Sequence, residues 1–359
     1  MPHQRSLTAR KKGNKPGRKP THQAKKAKKV DLRPAAKRPQ KIPRLTPHAT
    51  KFGSLAQLEI HIEAAIKKRT ADKTPVLTVS SGTCGRARGS LNVIAALHRA
   101  LKAQRLENKV KVRVTGCHGF CEAEPNIIIY PQDIFYQKVA SDDAKDIVSR
   151  TIKQKKVIDK LLYRDPGNGH PAFREKDISF YKKQMRLVLG DNALIDPTDI
   201  EDYFSIGGYS ALAKVLAGRK PDAVIDTIKS SGLRGRGGAG FPTGSKWELA
   251  RRFQRDLKYI ICNADEGDPG AYMDRSLLEG NPHRVLEGMI IGAYAIGACQ
   301  GFMYVRDEYP LAVKHIGLAI EQALKRGLLG DDILGTGFSF NIQIAKGAGA
   351  FVCGEETAL

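Results

Sequence analysis

Lys258-Tyr259-Ile260-Ile261-Cys262-Asn263 decides how the second half of this 359-residue chain folds. Its apolar centre reads as a buried strand, and Ala264 to Asp274 reads as the loop that leaves it. Pro282 to Cys299 then reads as a long apolar helix, Gly301 to Val305 as a strand, Leu311 to Arg326 as a helix and Phe340 to Ala345 as a strand. That alternation predicts a parallel sheet with crossover helices. Upstream, Asp199 to Lys229 reads as helix in two pieces, interrupted at Gly207-Gly208 and Lys220-Pro221.

Three loops in this half carry the chemistry. Ser231 to Trp247 holds six glycines, two arginines and a lysine around Phe241. Glycines allow close backbone approach, and N–H groups with fixed cations make a phosphate cradle. Asn263-Ala264-Asp265-Glu266-Gly267-Asp268 supplies an amide and three carboxylates, suited to hydroxyls and the polar edge of a ring. Gly347 to Glu356 adds a second glycine-rich stretch and two acids. Each loop is expected to follow a strand, so all three would meet outside the carboxyl ends of one sheet. None is a Walker A sequence or a plain Gly-x-Gly-x-x-Gly fingerprint.

The net charge of +23 is unevenly placed. Residues 1–50 hold sixteen Lys and Arg against one acid, Asp31, and account for +15 of it. Such a segment buries too little apolar surface to offset its ordering entropy and reads as a disordered, solvated tail. It lacks the aromatic residues that stack bases, so nucleic acid is not the partner it indicates. No apolar run spans a bilayer and no signal-peptide pattern opens the chain. Six scattered cysteines point to a reducing, cytoplasmic setting.

Residues 51–155 read as a smaller α/β unit. A helix from Ser54 to Lys68, with Leu55, Leu58, Ile62 and Ile66 on one face, precedes a strand at Pro75 to Val79. A helix carrying Val93, Ile94, Leu97 and Leu101 leads to a strand at Val110 to Val114. Ile127 to Tyr130 and Ile134 to Val139 read as a hairpin, and Asp142 to Lys155 as a last helix. Residues 156–205 read as a connector, and 206–359 as the second α/β domain. Cys84 lies in the turn after the first strand; Cys117-His118-Gly119-Phe120-Cys121 follows the second. Thiolates from such turns can hold a [2Fe–2S] cluster, which takes four ligands. Cys262 and Cys299 read as buried packing residues, and Cys353 as one packed beside a ligand.

From about Tyr163 to Leu359 the chain resembles the FMN- and NADH-binding flavoprotein subunit of NADH:quinone oxidoreductase (complex I). It resembles still more the related subunits of NAD(P)-reducing hydrogenases and formate dehydrogenases, through Gly267-Asp268 and Met273-Asp274-Arg275. The first half resembles the thioredoxin-like [2Fe–2S] ferredoxin domain fused ahead of it. The resemblance implies a thioredoxin-like domain followed by a Rossmann-like FMN-binding α/β domain. It implies that Gly235, Arg236, Gly237 and Lys246 hold the FMN phosphate and ring edge. Asn263, Asp265 and Glu266 would take the ribityl chain and ring polar atoms, and Gly354 and Glu355 would close over them. Phe241 would stack on NAD(H) or NADP(H), with Asp268 and Glu356 near its ribose and amide groups. Cys84, Cys117 and Cys121 would be cluster ligands, with Ser80, Ser81 and Gly85 standing where a fourth cysteine is expected and His118 as an alternative fourth ligand.

The activity implied is hydride transfer from NAD(P)H to FMN, with electrons passed to iron–sulfur subunits of a larger oxidoreductase, peripheral to a membrane complex. Asp268 and Phe351 replace an expected Glu and Tyr; the shorter acid would repel a 2′-phosphate less and so admit NADPH. The family continues with further domains and a [4Fe–4S] motif, so the sequence reads as truncated within a motif at Gly354 to Leu359. An inactive fragment, or a nucleic-acid binder led by the basic tail, are the alternative readings.

Overall fold

A computed structural model describes residues 50–358. The segment expected to be a disordered tail lies outside them, apart from Thr50. The first sheet is built from β1 (Val76–Ser80), β2 (Lys111–Thr115), β3 (Ile127–Tyr130) and β4 (Ile134–Tyr136), in the order β2-β1-β3-β4. β1 and β2 are parallel; β3 runs antiparallel to β1 and to β4. This is the strand arrangement the thioredoxin-like expectation requires.

Alternation along β3 feeds both faces of the sheet. Ile127 and Ile129 join a core with Leu77, Val79, Leu97 and Leu101. Ile128 joins Phe120, Phe135, Ile178 and Tyr181 on the other side. The helices are α1 (Leu55–Ala71), α2 (Thr83–Ala87), α3 (Ser90–Ala103) and α4 (Asp143–Asp146), the last continuing as a π-helical stretch, Ile147–Lys153.

Helix α1 starts where Ser54 caps it, its side chain accepting from the Gln57 N–H. Its buried Leu58 and Ile62 pack with Phe204 and Leu212, not with the first sheet. Ile66, expected on the buried face, is exposed.

The connector contains a small hairpin, β5 (Tyr163–Arg164) and β6 (Pro171–Ala172), closed by the turn at Asp165, and helix α5 (Ser179–Lys182). The next helical region falls into three pieces rather than two: α6 (Ile200–Phe204), α7 (Ser210–Gly218) and α8 (Pro221–Ser230). Both expected interruptions are real; Tyr209 between α6 and α7 has φ 66°, and Pro221 opens α8. Buried Glu287 receives Tyr203 Oη–H and the N–H groups of Tyr209 and Leu212, fastening the start of α7 to the core.

The second sheet follows the predicted pattern. After α9 (Thr243–Arg252) come β7 (Tyr259–Ala264), α10 (Met273–Gly280), α11 (Pro282–Ile296), β8 (Gln300–Val305), α12 (Pro310–Arg326) and β9 (Asn341–Lys346). The strands are all parallel, in the order β7-β8-β9. α11 and α12 are the crossovers and bury Leu286, Ile290, Ala293, Ala312, Ile316 and Ala319. Neither α9, whose first residues were read as part of the glycine-rich loop, nor the short helix α10 was expected. Among the described residues no helix is long and apolar enough to cross a membrane.

Candidate functional site

The glycine-rich loop departs from its expected setting: it follows helix α8 rather than a strand. Its base is pinched shut. Gly235 N–H donates to Phe241 O at 2.9 Å, Thr243 N–H to Leu233 O at 2.9 Å, and Arg234 bridges to Pro242. Gly238, at φ 105°, and Gly240, at φ 62°, make the tip. These are backbone conformations that cost other residues strain. The loop projects ahead of the N-terminus of α9, where unpaired N–H groups and the helix dipole favour an anion. Arg236 folds back onto Arg234 O, and Phe241 is half exposed.

The other two loops leave the carboxyl ends of β7 and β9, as expected. Asn263 Nδ2 donates to Gly354 O at 2.8 Å, joining them. Lys246, on α9, reaches Glu356 at 3.3 Å and joins the glycine-loop side to the third loop. Both partners are exposed, so this pair is worth little in stability. It marks proximity. Loop 347–354 packs directly on Asp265: a Cβ at Gly347 would fall 2.6 Å from Asp265 Oδ1, and one at Gly354 2.6 Å from Asp265 O. Asp268, Glu355 and Glu356 are exposed at the rim. The Glu355 carboxylate is held in a local turn by Thr357, which also keeps it more acidic than usual.

Two carboxylates behave differently. Asp265 is 8% exposed, and neither of its oxygens has a hydrogen-bond partner in the protein. Burial raises its pKa. A buried carboxylate without donors is costly, and hydroxyl donors from a ligand would satisfy it. That donor requirement fits a ribityl chain. Glu266, expected to touch the cofactor, is instead committed to the protein. It receives the N–H groups of Asp274 (3.0 Å) and Arg275 (3.2 Å) at the start of α10, and Tyr309 Oη–H at 3.1 Å. It positions the loop. The loop after β8 was missed: Arg306 donates to Glu266 O, and Arg306 and Arg275 both lie 5.5 Å from the Tyr309 ring. The rule that ligands gather at strand carboxyl ends pointed there too.

The cysteines form a second pocket, at the carboxyl ends of β1 and β2. Cys117 and Cys121 Sγ are 3.7 Å apart, and the Cys84 thiol, raised first by burial and then by neighbouring Cys121, completes the group. Sharing a hydrogen bond, Cys121 is lowered to about 6 while Cys117 is pushed up. His118 turns away: its Nε2 meets Thr115 Oγ1 at 2.9 Å, and burial lowers it to about 4. Beside the thiols lies Glu124, 2% exposed, with burial raising it to about 7. Among the described residues no three His, Cys, Asp or Glu side chains already surround a single-ion centre. Cys299, expected to be buried in a helix, is exposed beyond the end of α11. Cys262 is half-buried, and burial raises its thiol pKa to about 12. A cavity of about 600 Å³ beside α1 contains none of the crevice residues; its Lys111 and Arg113 are already paired with Asp72 and Asp202.

Helix α10 ties the two pockets together. Its N-terminal N–H groups hold Glu266 on the crevice side. Arg275 Nη2 approaches Cys84 Sγ at 3.6 Å, and buried Glu279 accepts from the backbone N–H (2.7 Å) and the hydroxyl of Thr83. A Cβ at Gly116 would sit 2.2 Å from Gly280 Cα, so the two backbones touch.

Residues 228–359 match the family model of the Nuo51 FMN-binding domain. The NADP-reducing hydrogenase protein HndC of Solidesulfovibrio fructosivorans is 57% identical over 178 residues, 50% of this chain and 36% of that protein. The F component of the Aquifex aeolicus NADH-quinone oxidoreductase is 51% identical over 160 residues, 45% of this chain and 37% of that one. An NAD+-reducing [NiFe]-hydrogenase structure aligns over 86% of this chain and 53% of its own, at 23% identity and a TM-score of 0.37. The chain thus spans little more than a third of the length of the curated relatives it matches. Residues 228–359 are thus similar to the Nuo51 FMN-binding domain, and the chain is similar over about half its length to the F components of NADH-quinone oxidoreductases and to a component of an NADP-reducing hydrogenase.

Proposed function

We propose that this chain binds FMN in the crevice between the glycine loop, β7 and β9, and serves as the NAD(P)H-oxidising module of a larger oxidoreductase whose other subunits carry iron–sulfur clusters. When bound, FMN accepts a hydride from the nicotinamide and releases electrons singly. The protein supplies orientation and electrostatics. The α9 N-terminus and Lys246 would hold the phosphate, joined by the Arg236 guanidinium once it leaves Arg234 O. Gly235 and Gly237 leave room for the ring edge. Asp265 and Asn263 take hydroxyl and ring polar groups, and Gly354 and Glu355 close the loop over them. Phe241, exposed beside the loop, offers a face for the dinucleotide, with Asp268 and Glu356 at the rim. The short side chain of Asp268 admits NADPH as well as NADH. The setting is cytoplasmic, peripheral to a membrane complex.

The observation that carries this reading is the orphaned carboxylate of Asp265 beneath loop 347–354, in a segment matching an FMN-binding domain. The test is titration of the flavin-free chain with FMN, followed by flavin fluorescence. One FMN per chain is expected, with affinity falling about tenfold or more in Lys246→Ala, a loss of about 1.4 kcal/mol. Absence of saturable binding by the folded chain refutes the reading.

A further inference from the structure

The cysteine pocket contains three thiols, one short of a [2Fe–2S] donor set. Ligation at two irons divides the donors into pairs rather than gathering them round one point. Cys117 and Cys121 already form such a pair: 3.7 Å is close to the roughly 3.8 Å edge of a tetrahedron with metal–sulfur bonds of about 2.3 Å. Cys84 needs a partner.

The side chain standing there is Glu124. Its Oε2 lies 2.6 Å from where a Cβ on Gly85, the residue after Cys84, would be. Its Oε1 is bonded by the Ser80 hydroxyl. Ser80 and Gly85 are two of the positions where a fourth cysteine was expected, so the carboxylate occupies the space such a cysteine would use. Glu124 also lies just after the short 3-10 turn that begins at Cys121, with its N–H donating to Cys121 O at 3.3 Å. Oε2 has no hydrogen-bond partner, although Glu124 is 2% exposed. A buried carboxylate oxygen left without a donor, against the residue that follows Cys84, can be satisfied by a cation. Arg275, 3.6 Å from Cys84 Sγ, provides positive charge against an anionic cluster.

We propose that Glu124 is the fourth ligand, with Cys84, Cys117 and Cys121, of a two-iron, two-sulfide cluster in this pocket. The proposal rests on the expectation of a [2Fe–2S] cluster at Cys84, Cys117 and Cys121, apart from the FMN crevice of the functional reading, and adds a fourth residue to it. On ligation each thiol gives its proton to solvent, and the iron and sulfide enter as added ferric and sulfide salts, so the diferric cluster forms with no change of oxidation state.

The test is anaerobic reconstitution of the full chain with ferric iron and sulfide, followed by iron and labile-sulfide analysis and visible absorption. Two irons and two sulfides per chain are expected. Glu124→Gln should lose at least half of both. Glu124→Cys should keep both and absorb more strongly in the visible, because a fourth thiolate adds charge transfer to iron. Undiminished iron in Glu124→Gln, a single iron per chain, no iron in the unsubstituted chain, or a Glu124→Cys spectrum identical to the unsubstituted one overturns the assignment. FMN titration of the same samples reports the flavin crevice separately; iron uptake lost in Glu124→Gln without FMN binding still supports Glu124 as ligand.

Discussion

His283 is buried, with both ring nitrogens engaged. Nε2 lies 3.0 Å from Gln322 Oε1, which can only accept, so Nε2 carries the hydrogen and Nδ1 accepts from Tyr209 Oη–H at 2.9 Å. The neutral ring satisfies both partners, and a protonated one would bury a charge with no opposite charge beside it. Burial accordingly lowers its pKa to about 4, against about 6.5 in an unfolded chain. The unfolded state therefore takes up the proton first. The stabilisation is complete above pH 6.5 and is lost as pH falls towards 4, by up to about 3 kcal/mol. Urea unfolding of His283→Gln should show a shallower loss of stability between pH 6.5 and 4 than the unsubstituted chain; equal slopes would refute the argument. His315, also lowered to about 4 by burial, should supply a similar acid dependence that this substitution leaves intact. None of this was legible in sequence. A histidine in an apolar helix can be recognised, but its partners lie 39 and 74 positions away. Glu124, Glu279 and Asn192 escaped for the same reason: acids and amides in turn-like segments read as solvated until a distant segment covers them.

At the scale of elements, apolar periodicity located every strand of the two main sheets and the long helices to within a few residues. Those signals come from the face each element buries. What periodicity omits is what covers that face, so α1 was placed beside the first sheet although Leu58 and Ile62 pack on the helices of the second half. It also passes over short polar helices, such as α10, held by a side chain from another segment. The glycine loop was recognisable by composition, since glycines and cations cluster nowhere else so densely, although its predecessor is a helix. Its glycines can be separated by purpose. Gly238 has φ 105°, so Gly238→Ala strains the backbone itself. Gly237 is outside the left-handed region, and a Cβ there meets nothing within 4 Å. Gly237→Ala should leave thermal stability within about 0.5 kcal/mol of the unsubstituted chain. Its FMN affinity should nevertheless fall about tenfold, because the added methyl occupies space needed by the ligand. Unchanged affinity, read by flavin fluorescence, would show that the loop does not approach the cofactor there.

Across the whole molecule, two α/β units meet along α10, and the seam is polar as well as tight. Gly116 and Gly280 allow backbone contact, Glu279 anchors Thr83, and the Asn192 amide donates at 3.0 Å to both Cys117 O and Ser276 O. One side chain thus satisfies a buried carbonyl in each unit. Ser276 O keeps its helical partner, but leaving Cys117 O without a donor costs roughly 1–3 kcal/mol. The two units should consequently unfold together. Trp247, the only tryptophan, lies on α9 in the second half, whereas far-ultraviolet circular dichroism samples the helices and strands of both. Urea transitions followed by the two signals should coincide. Asn192→Leu should move both midpoints down by the same amount, since either unit loses its hold on the other when the seam opens. If tryptophan fluorescence stayed in place while the circular dichroism transition moved or split, the first sheet would be unfolding alone. The arrangement of cysteine pocket and flavin crevice about α10 would then not be fixed by this seam.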